Sequence, residues 1–160
     1  MIPHVRYEIT KAIDFVSVGN GWVRGLDQQL TLFIDQSILE AGLIHFRNLI
    51  EFLGNKPRKD RVVARDYLDD WDWTISSNLR RVSEVHSRLA HLGISRHTAG
   101  GFNWRRWLEE NAPAVLHGVH GFLVQLRGAS PRRYERFLQP TPEHDRVELL
   151  AMLDRLSASR

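Results

Sequence analysis

Residues 39–53, LEAGLIHFRNLIEFL, decide how the rest of the chain is read. Leu39, Leu43, Phe46, Ile50 and Leu53 recur at alternating steps of four and three residues. That spacing lines one face of an α-helix and would scatter across both faces of a strand. The stripe continues backwards through Leu26, Leu30, Phe33 and Ile34, which predicts one long helix from about Arg24 to Leu53. Gly54-Asn55-Lys56-Pro57 ends it, because Gly and Asn tolerate the left-handed turn after a helix and Pro cannot continue one.

Working outward, Ile9, Ile13 and Val16 predict a first helix over Val5–Val18, stopped by Gly19-Asn20-Gly21. Downstream, Arg58–Trp73 reads as a charged connection holding one helical turn. Thr74 is placed to cap a further helix whose stripe is Ile75, Leu79, Val82, His86 and Leu89. After the Gly100-Gly101 loop, Asn103 caps a helix through Leu126, with Pro113 expected to start a turn or bend. Gly118 and Gly121 weaken the second half of that helix on propensity alone. Ser130-Pro131 opens a short helix to about Leu138, and Thr141-Pro142-Glu143 repeats the device before Val147, Leu150, Leu153 and Leu156. No stretch alternates as a strand, and none repeats. The expectation is an all-α chain, a helical bundle of about four main helices with shorter flanking helices, in one domain over residues 1–160.

Composition narrows the chemistry. The 160 residues are 42% apolar and 26% charged, as in an ordinary globular chain. Without cysteine there is no disulfide, thiolate metal site or cysteine nucleophile, which favours a reducing, cytoplasmic setting. The opening MIPHVRYE lacks the basic start and apolar run of a secretory leader, and no segment has the length and apolarity of a membrane span. Net charge is only +3, but 19 of the 22 basic residues are Arg. The guanidinium fork suits carboxylates and phosphates, although a GC-rich genome produces the same bias.

Chemistry-bearing residues gather on two predicted helices. On the first, His45, Arg47 and Asn48 lie beside the apolar stripe, and Arg47 and Glu51 form an i,i+4 pair. On the second, Arg81, Glu84, Arg88 and His91 share a face while His86 points toward the apolar stripe. Buried imidazole and guanidinium groups need partners, so a polar cluster of His45, Asp60, Asp66, Arg88 and Arg96 between the helices is the candidate site. The plainer alternative makes Arg47–Glu51 a solvent-facing pair and His86 a hydrogen-bonded core residue. His117 and His120 are spaced like metal ligands, but no third ligand is fixed, and neither metal nor cofactor is predicted. There is no phosphate-binding glycine loop and no Ser-His-Asp arrangement. Trp71, Trp73, Trp104 and Trp107 are expected to lid the bundle or to bury in a dimer seam.

The segments ILEAGLIHFRNLIEFL (Ile38–Leu53), RKDRVVARDYLDD (Arg58–Asp70) and VHSRLAHLGISR (Val85–Arg96), in that order, resemble a group of small bacterial helical proteins. In that group a helix like LESFLxHxRxLxDFF precedes an Asp-containing connection and a helix like NxxLAHLTxxR. The resemblance covers about the middle third of the chain and implies polar roles for His45, Arg47, Asp60, His91 and Arg96. Glu51 stands where the group has Asp, and Gly93 where it has Thr. More loosely, such bundles resemble the HEPN superfamily, many of whose members are dimeric ribonucleases of defence systems. Their signature is an Arg followed after four to six residues by His, which Arg81 and Arg80 both satisfy with His86. About three such pairs arise by chance in a chain of this composition, and Val82 replaces the polar residue usual after the Arg.

Two functions follow as expectations. The first is an interaction module of a helical-bundle type, working as a homodimer or with a protein partner and linked to bacterial defence or stress. The alternative is a metal-independent ribonuclease, with His86 or His91 taking the proton of a ribose 2′-OH while Arg81, Arg80 or Arg47 stabilises the charged phosphorane. Binding of RNA without cleavage would need Arg105, Arg106, Arg132, Arg133 and Arg136 on one surface.

Overall fold

The computed structural model describes residues 2–18, 28–57, 59–74, 103–138 and 154. Among these residues there are four α-helices and no strand: α1 (Ile2–Val18), α2 (Gln28–Gly54), α3 (Trp104–Ala129) and α4 (Pro131–Leu138). The all-α expectation is met. The helix expected from Ile75 lies outside the described residues, as do the loop at Gly100-Gly101 and, apart from the helical Asp154, the helix expected over Val147–Leu156.

Local chemistry sets the helix ends. The N–H of Asn55 still reaches the carbonyl of Glu51 (3.2 Å), and the Trp71 indole N–H donates to the carbonyl of Leu53 at 2.9 Å. A side chain 18 residues away thereby satisfies a carbonyl that the helix itself leaves unpaired. Asn103 Oδ1 accepts from the N–H of Arg106 at 2.9 Å, the expected N-cap of α3. In α4, proline sits at the first position, and the Ser130 carbonyl accepts from the N–H groups of Arg133 and Tyr134. The connection holds one 3-10 turn, Ala64–Asp66, where the Asp66 carboxylate accepts from the N–H of Val63 at 2.8 Å.

The helix expected from Asn103 through Leu126 is present as α3 and runs three residues further. The helix runs unbroken through Pro113 from Trp104 to Ala129. The carbonyl deprived of its N–H partner is that of Glu109, an exposed residue, where the loss of one helical bond costs least. Gly118 and Gly121 do not end the helix either. A Cβ at Gly118 would stand 2.7 Å from Trp73 Nε1 and 3.0 Å from Leu53 Cδ1, so glycine is what lets Trp73 lie against α3. Tertiary packing outweighs the roughly 1 kcal/mol helix penalty of glycine.

The core is a stack of aromatic edges around Phe122. Phe52, Trp71 and Phe137 meet its ring at centroid distances of 5.0, 5.5 and 6.0 Å. Tyr67 closes the ring of contacts at 6.1 Å from Phe122 and 6.3 Å from Phe137. Trp71 is only 4% exposed, so it is a core residue of this bundle. Here the connection folds down as a plug that joins the C-terminal end of α2 to α3 and α4. The other large contact is α1 against α2. At Gly42 the packing leaves no room for a side chain, since a Cβ there would fall 2.6 Å from Phe15 Cδ2.

Candidate functional site

The seam between α1 and α2 carries the polar arrangement of most interest. Val5, Ile9, Ala12 and Ile13 of α1 bury against Leu43, Phe46 and Ile50 of α2. Residues on the shoulder of each stripe are therefore drawn to the rim of the seam. Glu8 lies one position before Ile9, and His45 one before Phe46. Helix pairing brings them together: His45 Nδ1 and Glu8 Oε2 are 2.6 Å apart, with both side chains more than four-fifths shielded from solvent. Tyr7 packs its ring edge-on against the imidazole at 5.6 Å. A carboxylate on Nδ1 fixes ring orientation and favours the tautomer that carries its proton there.

A cavity opens on either side of this pair. On one side a trough of about 240 Å³ is lined by Lys11, Asp14, Phe15, Ile38, Ala41 and His45, with Gly42 in its floor. Lys11 Nζ and Asp14 Oδ2 form an ion pair of 3.5 Å on its rim. On the other side, a pocket of about 250 Å³ has Val5, Leu49, Phe52 and Val62 as its apolar walls. Its polar groups are His4, Glu8 and Asn48. The His45–Glu8 bond is thus a wall shared by two openings, His45 facing the trough and Glu8 the pocket.

The remaining predicted positions have separate partners. Arg47 donates from Nε and Nη2 to Glu51 Oε1, both at 3.0 Å, and Arg61 approaches the other oxygen of Glu51 at 3.9 Å. Asp60 is 71% exposed, with Arg61 at 3.9 Å. Asp66 holds the 3-10 turn. None of these three hydrogen-bonds to His45. Arg81, His86, Arg88, His91 and Arg96 lie outside the described residues, so the second half of the expected cluster has no geometry to set beside the first.

The arginines expected on one nucleic-acid surface are differently engaged. Arg106 Nε is 2.7 Å from Glu110 Oε1, a hydrogen bond and attraction that push its guanidinium pKa further up. Arg105, on the same helix, also has an interaction partner. Arg133 Nη1 donates to the carbonyl of Tyr67 at 2.9 Å, fastening α4 to the connection. Arg132 and Arg136 are exposed one turn apart on α4. Of the histidine pair on α3, His117 is exposed and His120 Nε2 meets Asp154 Oδ1 at 3.0 Å. Among the described residues no group of three or more His, Cys, Asp or Glu is gathered as a metal site would require.

Sequence reasoning missed Glu8, His4 and Arg6. Arg6 is only 3% exposed, and burial draws its guanidinium below the usual range. The available signal was positional: His4 and Glu8 are an i,i+4 pair flanking the stripe Val5, Ile9, Ile13. No family model matches this chain, and neither a curated protein nor a solved structure is similar to it. Among the described residues no helix is long and apolar enough to cross a membrane.

Proposed function

We propose that this chain is a helical interaction module that binds through the α1–α2 trough, with a second copy of the same chain as occupant. The observation that carries the reading is an open apolar trough whose rim bears one charge of each sign. Ala41, small and exposed, admits close approach of another helix, and Tyr7 and Ile44 stand 40% and 45% exposed on the same pair of helices. A twofold axis through such a face sets Lys11 of one copy opposite Asp14 of the other, so each charge keeps a partner when the apolar surface is buried. A cytoplasmic location and a link to bacterial defence or stress belong to this reading; the first rests on the absence of cysteine and the second on the resemblance described above.

Sedimentation across a concentration series tests it. The wild-type chain is expected to dimerise, and Ala41→Arg, at an exposed position of the trough, to be monomeric with unchanged helicity and unfolding midpoint. Lys11→Asp should weaken the dimer and the double exchange Lys11→Asp/Asp14→Lys should restore it. A wild-type monomer at every concentration, or a dimer indifferent to Ala41→Arg, overturns the proposal.

The ribonuclease alternative rests on Arg81, His86 and His91, outside the described residues, and on Arg47, whose guanidinium is committed to Glu51. It requires cleavage of single-stranded RNA without magnesium, lost in His86→Ala. Activity that survives His86→Ala combined with His91→Ala eliminates it. RNA binding without cleavage requires an affinity that falls steeply with salt.

A further inference from the structure

The second opening beside the His45–Glu8 pair has the make-up of a small-molecule site. Its walls are apolar: Leu49 is fully buried, Phe52 and Val5 nearly so, and Val62 closes it from the connection. Its polar groups sit together along one edge. His4 and Glu8 are one helical turn apart on α1, and Asn48 faces them from α2. Concave apolar walls with a few convergent polar groups are the usual composition of ligand pockets.

The hydrogen-bonding state of those groups gives the ligand its chemistry. Glu8 uses Oε2 for His45, and Oε1 accepts no hydrogen bond among the described residues. The half-buried Asn48 amide likewise has no hydrogen-bond partner among them, although buried amides ordinarily find one. A carboxylate oxygen and an amide oxygen, both acceptors without a donor among the described residues, call for one, and the charge of Glu8 favours a cationic one. A volume of about 250 Å³ admits a single ring or short chain, since a 150 Å³ apolar cavity already holds benzene. We propose that this pocket binds a small apolar amine, its ammonium on Glu8 and Asn48 and its hydrocarbon body against Leu49, Phe52 and Val62.

The proposal does not depend on self-association, because the pocket and the trough lie on opposite sides of the His45–Glu8 pair. They nevertheless share that pair. An ammonium on Oε1 shares the carboxylate whose Oε2 holds the His45 imidazole, so the ligand is coupled to a side chain that lines the trough.

Isotope-detected titration of the full chain tests this with three probes of one size: benzylamine, benzyl alcohol and benzoate. Benzylamine is expected to give saturable shifts at His4, Glu8, Asn48 and Val62, with affinity about tenfold above the alcohol and higher still above benzoate. Glu8→Gln keeps the shape and a hydrogen bond to His45; it should remove the preference for the amine while the alcohol binds as before. Val62→Phe fills the pocket and should abolish all three. Absence of saturation by benzylamine, equal affinity for benzoate, or binding unaffected by both substitutions overturns the assignment. Because Ala41→Arg lies in the trough, the same titration on that variant separates failure here from failure of the dimer: pocket shifts should persist in it, and their loss also counts against the assignment.

Discussion

The two ends of α2 are built on opposite principles. Toward its C-terminus, Phe52 and Leu53 are sealed by Trp71, Phe122 and Phe137, every ring edge-on to a neighbour and the one polar atom, Trp71 Nε1, matched to a backbone carbonyl. Nearer its middle, α2 meets α1 along a seam that buries an apolar stripe from each helix but leaves a cavity on each side of the His45–Glu8 bridge. The aromatic end leaves no opening because α2, the connection, α3 and α4 converge there on interlocked rings, backed by aliphatic side chains and by the Trp71 and Arg133 hydrogen bonds. The seam can leave one, because two parallel apolar stripes already hold α1 in place. Stability and binding capacity are therefore divided between regions of one helix.

That contrast can be broken most severely at Phe122. Phe122→Ala removes the ring on which four others converge and should cost about 3–5 kcal/mol, seen as a lowered denaturant midpoint. Gly118→Ala should come next, at about 1–3 kcal/mol, because the new methyl meets the Trp73 indole at 2.7 Å; the same exchange at Gly128, where a Cβ meets nothing, should be neutral or slightly stabilising. At the seam, a double-mutant cycle of Glu8→Ala and His45→Ala should give a coupling of only about 1 kcal/mol in chemical unfolding.

The smallest effect concerns alkaline pH. Burial chiefly, with the nearby Asp66 carboxylate adding to it and Arg133 opposing it, raises the Tyr67 hydroxyl above its ordinary value of about 10. The folded state therefore holds the proton more tightly than the unfolded chain does. The resulting stability is complete below the unfolded value and is lost as pH climbs from there through the folded one. Tyr67→Phe should flatten the decline of unfolding midpoint above about pH 10 and leave the neutral-pH midpoint nearly unchanged.

What could be read from residues alone was whatever is decided within a turn or two of chain. The stripe over Leu39–Leu53, the Asn103 cap, the Ser130-Pro131 start and the Arg47–Glu51 pair all depend on neighbours three or four positions away, and each is present. Why α3 tolerates Gly118 was not legible, because the indole that packs there lies 45 positions earlier. His45 was legible as a half-buried imidazole in need of a partner. Its partner was not, because Glu8 lies 37 residues away and reaches it only through helix pairing. A composite wall between two cavities has no local sequence pattern at all.

The hydrogen atom at Gly42 that stands where other residues have a methyl also sets the width of the trough. Phe15 lies across that spot, with two ring carbons 2.6 and 2.7 Å from where a Cβ would sit, and its half-buried ring is itself part of the lining. Any larger residue at 42 must displace that ring, so the first step in divergence at this position reshapes the opening through the protein's own side chain.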